Sequence, residues 1–299
     1  MSDLPAVTSP PKVSVLVTVY NREKYLAACL DSILVSTMGD FEVVVTDDRS
    51  TDGSMAIADR YAALDARIRI YRNEKNLGDY RNRMRAATLA RGEYLKYVDS
   101  DDLIYQHGLA VMVDAMEANP DAALGLSHSR PEHEAPYPFR LSPHDAWKAQ
   151  FLGDGSMGCG PTGAIIRREK FFEAGGFGDW GVLSDTDMWY RMSARWPMLL
   201  LPPGLVWWRR HEQQEFTKDG AGRSYLESGF RLDVAALTSD RSPLTPDETR
   251  SALARVKQHH ARRLLALSLK RGNPVEGWRL LNESGLTFAD MVSGLKPYR

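Results

Sequence analysis

The sequence has few cysteines, almost no net charge and no long apolar run among its 299 residues. Its two cysteines, Cys29 and Cys159, are far apart and lack the spacing of metal ligands, which argues against a disulfide framework and for a reducing compartment. The formal net charge of −1 provides no global field that would attract nucleic acid or a membrane surface. The longest apolar run, residues 198–208, is interrupted by prolines and is too short to span a bilayer, and no apolar signal segment opens the chain. We therefore expect a cytoplasmic protein.

Strand and helix patterns alternate along the first third of the chain. The apolar run Val13–Val19 predicts a strand that is covered on both faces, and the apolar residues after Asn21 recur at helical spacing. Further strands are predicted at 41–45, 68–71, 94–98 and 123–127, and further helices at 54–63, 81–90 and 107–119. This alternation predicts an α/β fold, in which helices flank a mainly parallel Rossmann-like sheet.

Three of these predicted strands end in polar residues. The endings are Thr18-Val19-Tyr20-Asn21, Asp47 to Gly53, and Asp99-Ser100-Asp101-Asp102. Each ending alone is also explained by an ordinary turn, because Asn, Asp, Ser and Gly are common turn residues. Parallel strands bring all three endings to one edge of the sheet, and open α/β sheets bind their ligands at that edge. The sequence therefore predicts one pocket for a polar ligand.

A nucleotide with a bound cation fits this predicted pocket. Tyr20 would offer a flat face to a base, and Asp48 would accept a hydrogen bond from a base N–H. The third ending crowds three carboxylates, Asp99, Asp101 and Asp102, which repel one another unless a hard divalent cation takes oxygens from them and from the ligand's phosphates. For this segment alone, an acidic turn that caps the next helix is the alternative.

Four motifs in this order resemble those of the family 2 glycosyltransferases, which have the GT-A fold. They are residues 13–22; Asp47-Asp48 with Ser50, Asp52 and Gly53; residues 76–83; and Gly92-Glu93-Tyr94 running into the acidic segment. Several motifs in order are more specific than any one of them. The resemblance is close over about residues 12–120 and looser to about residue 211. It implies an enzyme that uses a nucleotide-diphosphate sugar.

The resemblance assigns roles to individual residues. The nucleotide and the donor sugar would be bound by Thr18, Tyr20, Asn21, Asp48, Asn82, Arg83, Asp99 and Ser100. A divalent cation, Mn²⁺ or Mg²⁺, would be bound by Asp101 and His211. The acceptor or the diphosphate would contact Asp102, Trp189, Arg209 and Arg210.

A later segment, Ser184–Arg191, resembles the family's catalytic Glu-Asp-x-Asp-Leu-Trp pattern. Asp185 aligns with the catalytic base, and Ser184 replaces the Glu that precedes it. A carboxylate in the first turn of a helix is also stabilised by the helix dipole, so a purely structural role is the alternative. With Asp185 as general base, the resemblance implies an inverting, metal-assisted direct displacement. The donor would be a UDP-, GDP- or dTDP-linked sugar, and the acceptor a hydroxyl of a glycan or lipid-linked saccharide, as in polysaccharide biosynthesis.

We predict three regions along the chain. They are a nucleotide-sugar-binding half at 12–120, an acceptor-binding half at 121–240 that completes the GT-A domain, and a helical extension at 241–299. Within the acceptor-binding half, the proline, histidine and charge of residues 130–143 predict an exposed loop or an insertion.

The extension is predicted to contain two helices. Thr245 is expected to cap a long helix that begins at Asp247, and a second helix is expected around residues 275–283. The long helix is basic and amphipathic. Such a helix usually packs on its own domain, and the alternative is that it rests on anionic lipid at the inner face of the membrane.

Two other functions remain open. A catalytically silent protein that binds a nucleotide sugar would keep the same pocket. A sugar nucleotidyltransferase would share the sheet and the acidic segment, but it would normally have a glycine-rich loop directly after the first strand. Residues 18–22 contain no glycine, which favours the glycosyltransferase.

Overall fold

The structure, a computed structural model, describes residues 9–127, 136–211 and 221–271, together with residues 279, 284–287, 289, 290, 292 and 295. These residues form two compact units whose segments alternate along the chain. The first unit consists of the described residues up to Leu141, Gly158–Asp179 and Trp196–Arg209. The second consists of Ser142–Met157, Trp180–Arg195 and the described residues from Arg210 onwards. The predicted three-part division along the chain stays a prediction.

A mixed sheet forms the centre of the first unit. The strands of this unit are β1 (Val13–Val19), β2 (Phe41–Asp47), β3 (Ile68–Arg72), β4 (Tyr94–Tyr97), β5 (Leu103–Ile104), β6 (Leu124–Ser127), β7 (Phe139–Leu141), β8 (Ala164–Arg167), β9 (Met198–Leu201) and β10 (Val206–Trp207). Eight of them form one sheet in the order β3-β2-β1-β4-β8-β6-β9-β7, and β5 pairs with β10 in a separate ribbon. The neighbours β3, β2, β1 and β4 are parallel, as are β6 and β9, which confirms the predicted mainly parallel sheet.

Burial on both faces explains why the middle of β1, residues 15–17, and the middle of β2, residues 43–45, are continuously apolar. Val15, Val17, Val43 and Val45 lie in the core of this unit. The helices of the unit are α1 (Leu26–Leu34), α2 (Ser54–Leu64), α3 (Asp79–Leu89), α4 (Gly108–Glu117) and α6 (Arg168–Glu173). Strands that alternate with helices therefore build this unit, as the sequence pattern predicts.

The second unit is helical. Its helices are α5 (Pro143–Phe151), α7 (Ser184–Ser193), α8 (Ala221–Leu237) and α9 (Pro246–Arg271). Trp147, Phe151 and Tyr190 pack their rings against one another between α5 and α7, with centroid distances of 5.2 to 5.9 Å. Leu226 of α8 and Leu264 of α9 belong to a second small core. No described helix is long and apolar enough to cross a membrane.

The long helix predicted after residue 241 is α9, and it begins at Pro246, one residue before the predicted start. The amide of Glu248 donates to Thr245 Oγ1 at 3.3 Å, and the Thr245 amide donates to the Glu248 carboxylate at 3.0 Å. This reciprocal pair is a capping box, which confirms the predicted cap. The predicted second helix at 275–283 lies almost entirely outside the described residues.

The expectation of a loop at 130–143 is wrong at its end. Residues 128–135 lie outside the described residues, but Phe139–Leu141 forms β7, antiparallel to β9. Apolar Phe139 and Leu141 flank Arg140, which is the alternation of an edge strand. Ser142 then caps α5 through a hydrogen bond from the Asp145 amide to its hydroxyl at 3.2 Å. The proline and histidine residues of this stretch favoured a loop, so neither the alternation of β7 nor the Ser142 cap was recognised from the sequence.

Candidate functional site

The carboxyl ends of β1, β2 and β4 lie at the same edge of the sheet. Val19 of β1 pairs with Asp47 of β2, and the Asp48 amide donates to the carbonyl oxygen of Val19 at 2.8 Å. On the other side of β1, the Val98 amide donates to the carbonyl oxygen of Leu16 at 3.0 Å. The three polar endings therefore follow adjacent strands within the first unit, as parallel pairing requires.

Direct hydrogen bonds tie the ending of β1 to the ending of β2. Asn21 has a φ of 53°, a conformation that Asn tolerates better than most residues. Its amide donates to Ser50 Oγ at 3.0 Å, and its Oδ1 accepts a hydrogen bond from the Thr51 amide at 2.8 Å. The neighbouring Tyr20 is 49% exposed, and Thr18 is half-buried in β1. The ring of Tyr20 is thus accessible to a ligand.

Asp48 is buried in a hydrogen-bond network. Its carboxylate accepts hydrogen bonds from the Asn73 side chain at 2.7 Å and from the amides of Leu77 and Gly78 at 2.7 and 2.9 Å. Asn73 also donates to Asn82 Oδ1 at 2.9 Å. The structure therefore connects two of the predicted nucleotide-binding residues, Asp48 and Asn82, through a residue that sequence reasoning missed. The same carboxylate fixes the loop that precedes α3.

Arg83 lies between two carboxylates and two aromatic rings. Its Nε donates to Asp79 at 2.8 Å, and its Nη1 donates to Asp99 at 2.5 Å. The guanidinium carbon is 5.5 Å from the ring centroid of Tyr80 and 5.9 Å from that of Tyr97. Burial disfavours the charged form, but the two carboxylates outweigh it and hold the pKa of Arg83 well above its ordinary value. The predicted donor-binding residues Arg83 and Asp99 are thus an ion pair.

The acidic segment after β4 is anchored by three surrounding residues. Asp101 Oδ2 lies 3.1 Å from Arg22 Nε, and the carbonyl oxygen of Asp101 accepts a hydrogen bond from Arg209 Nε at 2.8 Å. Asp102 accepts hydrogen bonds from the Arg209 amide at 3.0 Å and from Thr162 Oγ1 at 2.9 Å. Segments that are distant in the chain therefore converge on these two carboxylates.

The crowding of carboxylates predicted from the sequence is present. Burial, and then the negative charge of Asp99, raises the pKa of Asp102 to about 7. Within the described part of the chain, no group of three or more His, Cys, Asp and Glu side chains is arranged to hold a metal ion. A cation that binds together with a diphosphate needs only one or two protein carboxylates, because the phosphates provide further oxygens. Asp101 and its acidic neighbours fit this requirement, since a dication would offset their mutual repulsion.

The chain passes from the first unit into the second within three consecutive predicted residues, Arg209, Arg210 and His211. The Arg209 guanidinium belongs to the first unit and lies 5.0 Å from the ring centroid of Tyr25 and 4.8 Å from that of Trp207. Arg210 is exposed and His211 half-buried, and both belong to the second unit. Their predicted contacts with the diphosphate and the cation stay predictions.

The segment with the predicted general base begins α7 in the second unit. Asp185 lies in the first turn, where its Oδ1 accepts a hydrogen bond from the Thr186 amide at 2.7 Å. Ser184, which replaces the expected Glu, is buried, donates to the carbonyl oxygen of Gly181 at 2.8 Å and so anchors the start of the helix. Trp189 is fully buried, and its assignment to the acceptor stays a prediction.

Sequence reasoning missed four residues around the first-unit site: Arg22, Asn73, Lys96 and Thr162. The sequence did indicate that Lys96 is unusual, because a charged residue inside the apolar strand 94–98 requires a specific partner. Arg22 lies in a recognised motif, but nothing local indicates that it reaches Asp101. The partners of Asn73 and Thr162 are set by tertiary structure, and the sequence around them contains no such signal.

Comparison with known proteins agrees with this geometry. The model of the family described as "Glycosyl transferase family 2" matches residues 14–174. Glycosyltransferase GlyG of Streptococcus pneumoniae is 31% identical over 134 residues, which are 44% of each chain. Putative glycosyltransferase EpsH of Bacillus subtilis is 43% identical over 95 residues, or 31% of this chain and 27% of EpsH. The chain therefore spans less than half the length of these two curated relatives.

Solved structures resemble the fold over most of the chain. Staphylococcus aureus TarS 1-349 in complex with UDP-GlcNAc has a TM-score of 0.65 and 20% identity, and the match covers 83% of this chain and 72% of that one. The mannosyltransferase PcManGT of Pyrobaculum calidifontis, in complex with GDP-Man and Mn²⁺, has a TM-score of 0.61 and 19% identity, with 96% and 84% covered. At these identities the likeness concerns the fold, and it agrees with the predicted GT-A fold.

Proposed function

Because the chain belongs to glycosyl transferase family 2, we propose that it transfers a sugar from a nucleotide-diphosphate sugar to an acceptor hydroxyl with inversion at the anomeric carbon. The observation that carries this proposal is the convergence, after adjacent parallel strands, of the Asp48 network and the acidic segment 99–102. Ligands of open α/β sheets bind at this edge, and an acidic segment there suits a diphosphate that carries a divalent cation.

The donor is a nucleotide sugar with a UDP, GDP or dTDP nucleotide. Two structural neighbours support this class, since one is a complex with UDP-GlcNAc and the other with GDP-Man. In our proposal, the exposed ring of Tyr20 stacks on the base, and Thr18, Asn21, Asp48 and Asn82 shape the nucleotide site. Arg83 orients Asp99, and Asp99 and Ser100 face the ribose or the sugar.

A divalent cation, Mn²⁺ or Mg²⁺, is part of the proposal, and PcManGT with its Mn²⁺ supports it. Asp101 and His211 would hold the ion, which when bound stabilises negative charge on the leaving diphosphate. Asp102 keeps Arg209 next to Asp101 through the hydrogen bond from the Arg209 amide. The guanidinium of Arg209 and the exposed Arg210 add positive charge for the same diphosphate.

Asp185 is the proposed general base. In a direct displacement the acceptor oxygen attacks the anomeric carbon while its proton passes to a carboxylate, and the bond to the diphosphate breaks. Asp185 occupies the first turn of α7, where its Oδ1 accepts a hydrogen bond from the Thr186 amide. The ionised form is the one that accepts a proton. No carboxylate nucleophile is required by this mechanism.

The acceptor is proposed to be a hydroxyl of a glycan or a lipid-linked saccharide, reached from the cytoplasmic side. Ala261 and Leu264 of α9 are buried within the second unit, so the apolar face of this helix packs on its own unit. Arg250 and Arg263 are exposed on the same helix. Association with anionic lipid at the inner face of the membrane would therefore use charge and not the apolar face.

Binding and turnover test this proposal separately. Thermal unfolding is measured with UDP-, GDP- and dTDP-sugars, each with MnCl₂ and with EDTA, because a ligand of the folded state raises the melting temperature. Release of the nucleoside diphosphate then reports turnover. We expect one donor class to stabilise the protein in Mn²⁺ and to be turned over.

Asp185→Asn should keep donor binding and lower turnover by about 10²- to 10⁴-fold, the usual contribution of a general base. Asp145→Asn is the control, since Asp145 lies in the first turn of α5 in the same unit and its carboxylate accepts a hydrogen bond from Ser142 Oγ at 2.6 Å. It should lower stability and leave turnover near the wild-type level. Binding without turnover in the wild-type protein would identify a silent nucleotide-sugar-binding protein, and the absence of any stabilising donor would refute the proposal.

A further inference from the structure

Lys96 is a buried lysine in the central sheet of the first unit. It is 0% exposed and lies in β4 opposite Val15 of β1. Its Nζ donates to the carbonyl oxygens of Thr162 and Ala164, the latter at 3.2 Å, and contacts no carboxylate among the described residues. Burial lowers the pKa of Lys96 to about 7. The negative charges of Asp99 and Asp102 offset only part of the cost of burying this ammonium, so packing alone would favour an apolar residue of the same length.

The lysine spans a place where two strands separate. Pairing between β4 and β8 ends at Leu95 and Ile166, and beyond this point β8 continues along β6, with Ala164 opposite Leu126. The Lys96 ammonium donates to the carbonyl group of Ala164, the first residue of β8, and to that of Thr162 in the turn just before β8, so it provides hydrogen bonds where the ladder with β4 is absent. The two strands separate at the end of β4, just before the acidic segment 99–102.

Thr162 connects the lysine to the acidic segment. Its carbonyl oxygen accepts a hydrogen bond from Lys96, while its hydroxyl accepts one from the Asp99 amide at 3.0 Å and donates one to Asp102 Oδ2 at 2.9 Å. A hydroxyl has a single proton, so these two contacts define its orientation. Thr162 is 1% exposed, and water therefore does not compete for these bonds.

We propose that Lys96 and Thr162 form a strut that holds Asp99 and Asp102, and with them the whole acidic segment 99–102, in the arrangement that binds the donor and its cation. Both are positioning residues, because they reach the ligand only through the acidic segment. The identity of that ligand rests on the proposed function, whereas the hydrogen-bond chain from Lys96 to Asp102 does not depend on it. The strut accounts for a lysine that costs stability, since functional sites retain such residues.

Three variants test the strut. Lys96→Met removes the ammonium and keeps the length, Thr162→Val removes the hydroxyl and keeps the shape, and Thr162→Ser retains the hydroxyl. Calorimetric titration with UDP and with GDP in MnCl₂ gives the dissociation constant, and thermal unfolding gives the melting temperature. We expect Lys96→Met and Thr162→Val to weaken nucleotide binding about 10- to 100-fold, as changes behind a metal ligand do, and Thr162→Ser to stay within about threefold.

The relation between affinity and stability separates positioning from a general structural role. Lys96→Met should retain or raise the melting temperature, because it removes a buried charge, and yet lose nucleotide affinity. If the lysine served stability only, affinity and melting temperature would change in the same direction. Ser14→Ala is the matched control, since it removes a buried hydroxyl that bonds Glu42 at 2.7 Å and the Gly92 amide at 2.8 Å near the amino end of β1. It should lower the melting temperature and leave nucleotide affinity unchanged.

Hydrogen–deuterium exchange of the peptide that contains residues 99–102 tests the strut without any ligand. Thr162→Val removes the acceptor of the Asp99 amide, so exchange there should accelerate at least about tenfold, while Thr162→Ser and Ser14→Ala exchange like the wild type. If exchange is faster in Thr162→Val but the wild-type protein binds neither UDP nor GDP, the strut is supported and the proposed function is rejected. Wild-type exchange and wild-type affinity in Thr162→Val would overturn the strut. Should Lys96→Met fail to fold, the two Thr162 variants decide the outcome alone.

Discussion

Arg22 joins the end of β1 to the acidic segment through an ion pair with Asp101. Its Nε lies 3.1 Å from Asp101 Oδ2, while its Nη1 donates to the carbonyl oxygens of Tyr20 and Asn21 at 3.2 Å each. The carboxylate that we assign to the cation is therefore already paired with a positive charge of the protein. A guanidinium and a dication on one carboxylate repel each other, so Arg22 and the cation compete for Asp101.

This competition predicts that Arg22→Gln strengthens binding of Mn²⁺ in the absence of nucleotide. For a partly buried pair at this distance the opposing interaction is about 1 kcal/mol, which corresponds to about a fivefold change in the dissociation constant. Titration of MnCl₂ followed by electron paramagnetic resonance measures this constant. Arg72→Gln, which breaks an exposed pair with Asp59, is the control and should have no effect. Equal or weaker binding in Arg22→Gln would show that the pair does not oppose the cation.

Asp48→Asn is expected to lower both stability and nucleotide affinity. The new amide presents a donor where the wild-type carboxylate accepts from the Asn73 side chain and from the Leu77 and Gly78 amides. The buried NH₂ of the new amide faces at least one of these donors instead of an acceptor, which costs about 1–3 kcal/mol and lowers the melting temperature by roughly 2–10 °C in a chain of this size.

Asp47→Asn provides the comparison for this change. Asp47 is equally buried, but among the described residues its carboxylate accepts only the Ser50 amide, which an asparagine oxygen also accepts. Differential scanning calorimetry and calorimetric titration with UDP and GDP should show a smaller loss for Asp47→Asn. Similar losses of melting temperature and affinity in both variants would mean that burial of the carboxylate, and not its three hydrogen-bond donors, determines the effect of the substitution.

The fold was largely predictable from the sequence because local patterns determine its strands and helices. The apolar run Val13–Val19 is β1 without a change of boundary, and α2 begins at Ser54 as predicted. The ribbon of β5 and β10 was not predicted, because its strands have two residues each and no period can be read from two residues. Helix α8 was also not predicted.

The candidate site was predictable in its position but not in its hydrogen bonds. Strand endings locate Asp48 and Asp101 at one sheet edge, since parallel pairing requires it. The partners of these residues lie far along the chain: Asn73 is 25 residues from Asp48, and Arg22 is 79 residues from Asp101. Such contacts follow from tertiary packing, which no local periodicity encodes.

Gly92→Ala is expected to destabilise the first unit. A Cβ at this position would lie 2.5 Å from the Ser14 amide nitrogen and 2.7 Å from the Val13 carbonyl carbon, and both are backbone atoms of a central strand. Displacing them costs about 1–3 kcal/mol, as overpacking does. Gly39→Ala is the control, because its Cβ would meet nothing within 4 Å, and it should be neutral or slightly stabilising. Equal melting temperatures for the two variants would contradict this account.

His260 predicts a loss of stability on mild acidification. Its ring is buried, stacks on Phe230 at a centroid distance of 4.1 Å, and is within hydrogen-bond distance, 3.1 Å, of Ser284 Oγ. Burial, and then the charge of Arg263, lowers the pKa of His260 to about 4 from 6.5. Between these two values the unfolded chain binds a proton that the folded chain does not, so the free energy of unfolding falls as the pH falls from about 6.5 to 4. The full effect is on the order of 3 kcal/mol.

Urea unfolding at several pH values measures this slope, and the His260→Gln variant should lack it. His144→Gln is a control of opposite sign. His144 lies 2.9 Å from a Glu248 oxygen, and the hydrogen bond to that carboxylate raises the pKa of His144. Its contribution is complete below the unfolded value of about 6.5 and is lost as the pH rises through the folded value. His144→Gln should therefore lose stability relative to wild type at acidic pH, whereas His260→Gln should gain it. The same direction for both variants would contradict the assignment of His260 as a neutral, buried ring.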